Sequence, residues 1–270
     1  MLGVHWNSDR LLRLIKMTPP ISAVLLAHTH SALFEKVLES INWCDETIVV
    51  LSTPHPELET FLSKTTAKVF FRELEGFGPQ KQFAMAQASH DWILSIDSDE
   101  VVSSDLRNNI KKRFEEKDRP LPAAFSLKRK LFFCGKPLRF SGTLTQPLRL
   151  FDRNLARMSN DKVHEFIKTE GPCEHLKGEL LHYSYESFND YLTKFNRYTS
   201  LAAEELLQKG VQTNLLFIWI RFPLLFVRRY FFQLGFFDGG AGFTWCFFSA
   251  LYSSVKYLKL WDLHKKSKAS

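Results

Sequence analysis

Two aspartates separated by one residue, Asp97 and Asp99, are the residues of this sequence best suited to chemistry. They follow residues 92–96, a short apolar run that predicts a buried β-strand. Ligands of open α/β sheets bind beyond the carboxyl ends of the strands, which is where both carboxylates fall. Carboxylate oxygens bind Mg²⁺ and Mn²⁺ together with phosphate oxygens. The pair therefore predicts a metal site for a phosphate-bearing ligand, and a solvated acidic turn is the alternative.

The elements that would position these aspartates alternate along the first hundred residues. Short runs rich in branched apolar residues predict strands at residues 21–27, 46–51, 67–71 and 92–96. Helical periodicity predicts helices at residues 32–41, 57–64 and 80–88. Alternation of this kind builds a doubly wound, mostly parallel, Rossmann-like α/β sheet. Residues 120–185 then change to short β-like pieces, such as 124–131 and 148–151, separated by Gly and Pro.

The last third of the chain is helical and aromatic. Residues 188–209 predict an amphipathic helix, and residues 214–260 a Phe-rich helical stretch broken at Pro223 and at residues 238–240. Arginines and a lysine interrupt this stretch, so helices lying in the membrane interface are favoured over a membrane-spanning helix. Such helices would bind an anionic membrane surface. A packed helical subdomain or a dimer interface is the alternative.

Three regions follow from this pattern. We expect an N-terminal extension at residues 1–20, an α/β domain at 21–187 whose pattern changes at about residue 100, and a helical, membrane-associating region at 188–270.

The amino-acid composition limits the classes of binding partner and the cellular compartment. A net charge of +7 suits nucleic acid, an anionic membrane or an anionic substrate. Nucleic acid is disfavoured because the basic residues do not form one patch interleaved with aromatic residues. The four cysteines show neither CxxC spacing nor a partnering histidine, which favours a reducing compartment. Residues 1–20 lack the apolar core and the cleavage site of a secretory signal, so we expect a cytoplasmic protein.

Stretches spread along nearly the whole chain match one known family. They are residues 21–24, 43–50, 76–81, 92–100, 148–151, 163–165, 181–185, 196–198 and 236–239. With these motifs the chain resembles the family 2 glycosyltransferases of GT-A fold, and among them the bacterial lipopolysaccharide core glucosyltransferases. The resemblance implies an inverting, metal-dependent transfer of a sugar from a nucleotide-sugar donor. A UDP-sugar is the first candidate for that donor. The implied acceptor is a lipid-linked saccharide of the lipopolysaccharide core or a related cell-envelope glycan, at the inner face of the cytoplasmic membrane. The resemblance also makes residues 21–187 the catalytic domain, with a nucleotide-sugar half at about 21–100 and an acceptor half at about 101–187.

The resemblance also implies a catalytic base and the ligands of a metal. It assigns Asp97 and Asp99 to a divalent metal, Mg²⁺ or Mn²⁺, and to the donor diphosphate. Glu165 takes the position of the base that removes the proton of the acceptor hydroxyl, with His164 beside it as a second candidate. His182 corresponds to a late histidine ligand of the metal. A surface carboxylate at Glu165 and a structural histidine at His182 are the alternatives.

Donor-binding residues are implied in the same way. Gln80 and Lys81 resemble the pair that contacts the donor, since a lysine suits a phosphate charge, and Arg149 would serve the same diphosphate. For Lys81 a solvated helix face is the alternative.

The chain departs from the family at two strand ends. Residues 28–30, His-Thr-His, stand where the family has Asn-Glu, and residues 51–53, Leu-Ser-Thr, stand where it has an Asp that reads the base. Pro147 stands at a position where the family tends to have Gln. Either the nucleotide is recognised differently, or the protein is catalytically silent and binds a glycolipid or a partner enzyme. A nucleotidyltransferase is a third class, but the chain lacks an N-terminal Gly-rich phosphate loop.

Overall fold

The computed structural model of the chain describes residues 18–158, 166–185 and 187–269. Its strands are β1 Ile21–Ala27, β2 Glu46–Leu51, β3 Lys68–Phe71, β4 Trp92–Ser95, β5 Glu100–Val102, β6 Ala124–Phe133, β7 Lys136–Pro137, β8 Leu148–Asp152, β9 Ala156–Met158, β10 Ile167–Thr169 and β11 Cys173–Tyr185. Its α-helices are α1 Ala32–Ile41, α2 Pro56–Leu62, α3 Phe77–Ala86, α4 Ser104–Glu115, α5 Phe188–Gln208, α6 Leu215–Val227 and α7 Gly239–Ala269. A π-helical turn, Arg228–Phe232, and a 3₁₀ turn, Gly235–Asp238, join the last two helices.

Within the described residues one large sheet carries the strands in the order β3-β2-β1-β4-β8-β6-β11-β5, with β7 paired to β6. The strands β3, β2, β1 and β4 are parallel, whereas β8 runs antiparallel to both β4 and β6. From β1 the sheet is extended on one side by β2 and β3 and on the other side by β4, as in a doubly wound sheet. The predicted α/β class, with a doubly wound run of parallel strands, is confirmed.

Burial explains why the parallel strands could be predicted from apolar runs. All seven residues of β1 are buried, because helices cover both faces of a parallel sheet. Helix α1 starts at an N-cap, Ser31, whose side chain accepts a hydrogen bond from the backbone N–H of Phe34. It buries Phe34, Val37 and Ile41 on one face, at the spacing of an amphipathic helix. The apolar pattern thus fixes both the strand and the helix that follows it.

The described part of the chain forms two compact units. The first comprises the described residues within 1–129 and 146–181, and the second comprises those within 130–145 and 182–270. The core of the first unit joins buried residues of β1, β2 and β4 to α3 and β8, and includes Val24, Ile48, Ile93, Ala84 and Phe151. The predicted regions 1–20, 21–187 and 188–270 stay a prediction.

The core of the second unit is built around a hairpin of β6 and β7. Leu131, Phe133 and Leu138 are buried there against Tyr191 of α5. Half-buried residues of α5 and α7 complete the cluster, among them Phe195, Trp245 and Phe248. The aromatic rings meet mainly edge to face, for example Phe133 on Trp245 with centroids 5.6 Å apart.

The helices of the second unit differ from the sequence pattern in one respect. Pro223 was expected to break the helical stretch, yet α6 continues through it to Val227. The interruption falls instead at the π-helical and 3₁₀ turns, where Leu234 and Gly239 adopt positive φ angles of 58° and 61°. No helix within the described ranges has the length and apolarity needed to cross a bilayer.

Candidate functional site

Asp97 lies between two cationic side chains in the first unit. Its Oδ1 atom is 2.7 Å from Nζ of Lys81, and its Oδ2 atom is 2.6 Å from a terminal guanidinium nitrogen of Arg149. These three residues come from the loop after β4, from α3 and from β8. Both cations are nearly buried, with 7% and 11% of their side chains exposed, whereas Asp97 is 31% exposed. The predicted residues Lys81, Asp97 and Arg149 therefore converge at the carboxyl end of β4.

The start of α3 positions Lys81 and its neighbour Gln80. Gly76 caps this helix without a side-chain hydrogen bond, and the first turn brings Gln80 and Lys81 into the interior of the unit. The Gln80 amide nitrogen donates to the backbone oxygen of Arg72 at 2.7 Å. The Gln80 Oε1 atom is buried without a hydrogen-bond partner among the described residues. Because an unpaired buried acceptor is costly, this oxygen is suited to receive a donor group of a ligand.

The buried carboxylate of Glu100 holds Arg149 and the backbone of Asp97 in place. The sequence pattern does not predict this role. Its side chain is fully buried, and its Oε1 atom lies 2.8 Å from Arg149 and 3.3 Å from Arg129. The other oxygen accepts the backbone N–H of Asp97 at 3.1 Å. One carboxylate thus fixes a guanidinium and the backbone of Asp97 together. The only signal in the sequence is an acidic residue at the start of a strand, Glu100–Val102, that is otherwise apolar.

The charges around Arg149 keep it cationic. Burial alone would lower the pKa of its guanidinium, but the negative charges of Asp97 and Glu100 and their hydrogen bonds raise that pKa above its usual range. The Arg149 Nε atom is buried without a hydrogen-bond partner among the described residues. Arg149 is therefore a permanent, rigidly held positive charge at the strand end.

Asp99 lies two residues beyond Asp97, half-buried in the turn before β5. Among the described residues no three His, Cys, Asp or Glu side chains converge as a ready metal site. Two carboxylates nevertheless suit Mg²⁺ or Mn²⁺, since such ions are often held by one or two carboxylates together with phosphate oxygens of the substrate. Both Asp97 oxygens are engaged by Lys81 and Arg149 in this structure, so the metal role of Asp97 and Asp99 stays a prediction.

The loops that follow β1 and β2 lie side by side. Ala27 of β1 and Leu51 of β2 are register partners, which brings the residues that follow them together. The His28 Nδ1 atom is 3.0 Å from the Ser52 hydroxyl, and the His28 ring meets Phe77 edge-on at 6.5 Å. An imidazole and a hydroxyl thus occupy this edge of the sheet.

Three predicted residues are not joined to this cluster by the structure. His164 and Glu165 lie outside the described residues. His182 is described, in β11 within the second unit, where its ring Nε2 atom is 2.6 Å from the Ser184 hydroxyl. The roles of these three residues stay predictions.

Known proteins resemble this chain over nearly its full length. It is 28% identical over 268 residues to an uncharacterized glycosyltransferase of Rickettsia conorii, covering 93% of this chain and 92% of the relative. It is 27% identical over 264 residues to one of Rickettsia prowazekii, covering 92% and 88%. It is 25% identical over 253 residues to the lipopolysaccharide core biosynthesis glycosyltransferase LpsC of Rhizobium meliloti, covering 91% and 93%. The predicted resemblance is confirmed, and the chain is an enzyme of the glycosyltransferase class.

Family models and solved structures add little to these relatives. No family model matches the chain. Among solved structures it is similar to TarS residues 1–349 of S. aureus, at 14% identity and a TM-score of 0.45, covering 69% of this chain and 65% of TarS. It is also similar to the manganese complex of Rv0371c from Mycobacterium tuberculosis, at 13% identity and a TM-score of 0.43, covering 64% and 97%. At these TM-scores the similarity assigns no residue and no ligand to this chain.

Proposed function

We propose that this protein transfers a sugar, with inversion, from a nucleotide-sugar donor to a lipid-linked saccharide. The observation that carries the proposal is the convergence of Lys81 and Arg149 on Asp97 at the carboxyl end of β4. Two nearly buried cations beside a partly exposed carboxylate suit a diphosphate that arrives with a divalent metal. Uridine diphosphate is the leaving group that we propose.

Asp97 and Asp99 are the residues that would hold Mg²⁺ or Mn²⁺, and His182 is proposed as a further ligand. When bound, such an ion supplies Lewis-acid stabilisation of the charge on the departing diphosphate. Lys81 and Arg149 add two fixed positive charges to the same end of the reaction. Because Asp97 and Glu100 hold these cations in place, little reorganisation is needed as negative charge develops.

Glu165 is proposed as the base, with His164 as the second candidate. In an inverting transfer the acceptor oxygen attacks the anomeric carbon from the face opposite the diphosphate. The acceptor O–H bond gives its proton to the base while the bond from the anomeric carbon to the diphosphate oxygen breaks. A new glycosidic bond and a free nucleoside diphosphate result, so one base together with diphosphate stabilisation is chemically sufficient.

The proposed acceptor is supported by the name of one relative, and the proposed location by the exposed aromatic side chains of the second unit. One relative is named a lipopolysaccharide core biosynthesis glycosyltransferase, and we infer a similar cell-envelope acceptor for this chain. A lipid-linked acceptor would place the enzyme at the inner face of the cytoplasmic membrane, bound peripherally by its helical second unit. The second unit exposes large aromatic side chains such as Trp219 and Phe232, which suits that location.

A panel of nucleotide sugars tested by thermal shift, with and without Mn²⁺, examines the proposal. A ligand that binds only the folded state raises the melting temperature, so we expect a UDP-sugar to do so and Mn²⁺ to enlarge the shift. Free UDP and a nucleoside without phosphate are the controls for the diphosphate contribution. Failure of every nucleotide sugar to shift the transition would favour a silent protein that binds a glycolipid or a partner enzyme.

A further inference from the structure

An apolar stripe without charges runs along the outer side of α6 and into the turn that follows it. Its members lie three or four residues apart, with one adjacent pair, Trp219 and Ile220, and therefore share one face of the helix. They are Leu216, Trp219, Ile220, Leu224, Val227 and Phe231, with side chains between 40% and 70% exposed. Phe232, which is 80% exposed, lies at its end. Scattered apolar residues on a surface are ordinary, but a contiguous stripe of this kind marks a surface that meets something apolar.

The opposite side of α6 already has its partner. Phe222 packs edge to face on Phe247 of α7 with centroids 5.4 Å apart, and Ile218 is buried against the same helix. Arg221, the charged residue of α6, also turns inward and donates to the Ser253 hydroxyl at 2.5 Å. The fold of the second unit therefore uses the inner side of α6 fully. The side chains of the outer stripe stay at least 40% exposed.

The charge of the chain is concentrated in the same unit. The second unit contains 14 Lys and Arg residues and 6 Asp and Glu residues, a net charge of +8, whereas the first unit contains 22 and 23. Between residues 206 and 261 the sequence has one acidic residue, Asp238. Its carboxylate is engaged by the backbone N–H groups of Arg139 and Phe140, at 2.9–3.1 Å. Exposed Arg228 lies where the stripe passes from α6 into the π-helical turn.

We propose that this stripe is the surface by which the protein binds an anionic lipid bilayer. The helix α6 would lie parallel to the membrane, with Trp219, Leu224 and Phe232 at the boundary between headgroups and acyl chains. Arg228 and the positive field of the unit would face the anionic headgroups. The inference rests on the proposed membrane location and names the residues that provide it.

A second copy of the chain suits this surface less well than lipid does. Two copies that met along the stripe would bring two units of net charge +8 together. Like charges across an interface oppose association, whereas anionic lipid neutralises them. The positive charge of the second unit therefore favours an anionic bilayer over a second copy of the chain as the partner of the stripe.

Vesicle flotation with matched variants tests the proposal. The test variant combines Trp219→Ser, Leu224→Ser and Phe232→Ser, at positions 64–80% exposed. The control combines Leu192→Ser, Tyr198→Ser and Leu201→Ser on α5, at positions 41–44% exposed. We expect wild type and control to float with vesicles that contain phosphatidylglycerol. The test variant should partition at least about tenfold less, because three large apolar side chains no longer enter the interface.

Substitution is preferable to truncation here, since removing everything after Lys209 would also remove Trp245 and Phe248 from the core of the unit. Equal melting temperatures would show that all three proteins are folded. The proposal is overturned if wild type does not float, if test and control variants lose binding equally, or if the test variant abolishes a dimer seen by size-exclusion chromatography while vesicle binding is unchanged. Calorimetry of donor binding without vesicles, performed on the same proteins, separates failure of this inference from failure of the proposed reaction.

Discussion

Both carboxylate oxygens of Asp97 form ion pairs, with Lys81 and Arg149, so the proposed metal site is better tested at Asp99. Replacing Asp97 would release Lys81 and Arg149 and would mix several effects. The change Asp99→Asn removes one negative charge from a half-buried turn and leaves the core packing intact. We expect it to abolish Mn²⁺-dependent binding of the nucleotide sugar without lowering the melting temperature, as measured by calorimetry and thermal unfolding. Asp118→Asn, at an exposed position, is the matched control, and donor binding equal to wild type in the Asp99 variant would contradict the assignment.

Glu165 is predicted to act on the acceptor and not on the donor. The change Glu165→Gln keeps the shape of the side chain but removes its ability to take a proton. We expect turnover to fall by at least about a hundredfold while donor affinity stays within about twofold. Steady-state kinetics with a lipid-linked acceptor and calorimetry with the donor would measure the two quantities. Undiminished turnover would move the base elsewhere, with His164 as the next residue to replace.

The residues of the site could be predicted only in part. Lys81, Asp97 and Arg149 were named from motifs, and they do meet. The role of Glu100 depends on Arg129 and Arg149, which are distant in sequence and become neighbours only when β6 and β8 enter the sheet. Likewise the contact of His28 with Ser52 follows from strand register, which residue types alone do not give.

At the scale of elements, the first residue of β2 ties neighbouring segments together. The buried side chain of Glu46 accepts hydrogen bonds from Ser22 of β1 at 2.6 Å, from Lys68 of β3 at 2.5 Å and from the backbone of Ser89 at 2.7 Å. Burial alone would raise the pKa of Glu46, but these hydrogen bonds outweigh it and lower the pKa to about 2. The parallel half of the sheet therefore depends on an ionised carboxylate.

This lowered pKa predicts a pH dependence of stability. The unfolded chain protonates Glu46 near its ordinary pKa of 4.5, before the folded chain does. The stabilisation from Glu46 is therefore complete above about pH 4.5 and is lost as the pH falls towards 2. Urea unfolding of wild type and Glu46→Gln should show a difference in free energy that shrinks across this window. A constant difference between wild type and Glu46→Gln across this pH range would refute the expectation.

Gly178 allows β11 to pass close to the start of α4. Its φ angle is +102°, and an added Cβ would lie 2.4 Å from the backbone Cα of Leu106. Gly178→Ala should therefore lower the free energy of unfolding by about 2–4 kcal/mol, from backbone strain and overpacking combined. Gly210→Ala is the matched control, since its φ angle is +69° but nothing lies within 4 Å of its added Cβ. Equal losses in the two variants, measured by denaturant unfolding, would mean that the contact with Leu106 has no cost.

Elements differed in how well the sequence predicted them, for physical reasons. The strands β1, β2 and β4 are buried, so their residues form unbroken apolar runs. Helix α4 was missed because it is strongly polar, although the N-cap Ser103 and the buried residues Leu106 and Ile110 follow helical spacing. Helix α6 was wrongly expected to break at Pro223, because packing against α7 sustains it beyond that residue.

At the scale of the whole molecule, the concentration of positive charge in the second unit predicts salt-sensitive membrane binding. Raising the ionic strength from about 10 mM to about 150 mM shortens the Debye length from about 30 Å to about 8 Å. We expect flotation with anionic vesicles to weaken severalfold at the higher ionic strength. Some binding should remain, because the apolar stripe does not depend on charge. Arg228→Gln should reduce the salt dependence, and Arg107→Gln in the first unit should not. Binding that ignores salt altogether would exclude an electrostatic contribution.

The hairpin of β6 and β7 has a consequence for synthesis of the chain. Leu131, Phe133 and Leu138 leave the ribosome well before the helices that bury them, because Trp245 follows Leu138 by 107 residues. At ordinary translation rates the interval is roughly 5–20 s, long compared with the collapse of a small domain. During that time the nascent chain carries an uncovered apolar hairpin. A ribosome-bound chaperone that recognises short apolar segments should therefore crosslink to residues 131–138 in nascent chains that end before Trp245, and release them once α7 has emerged.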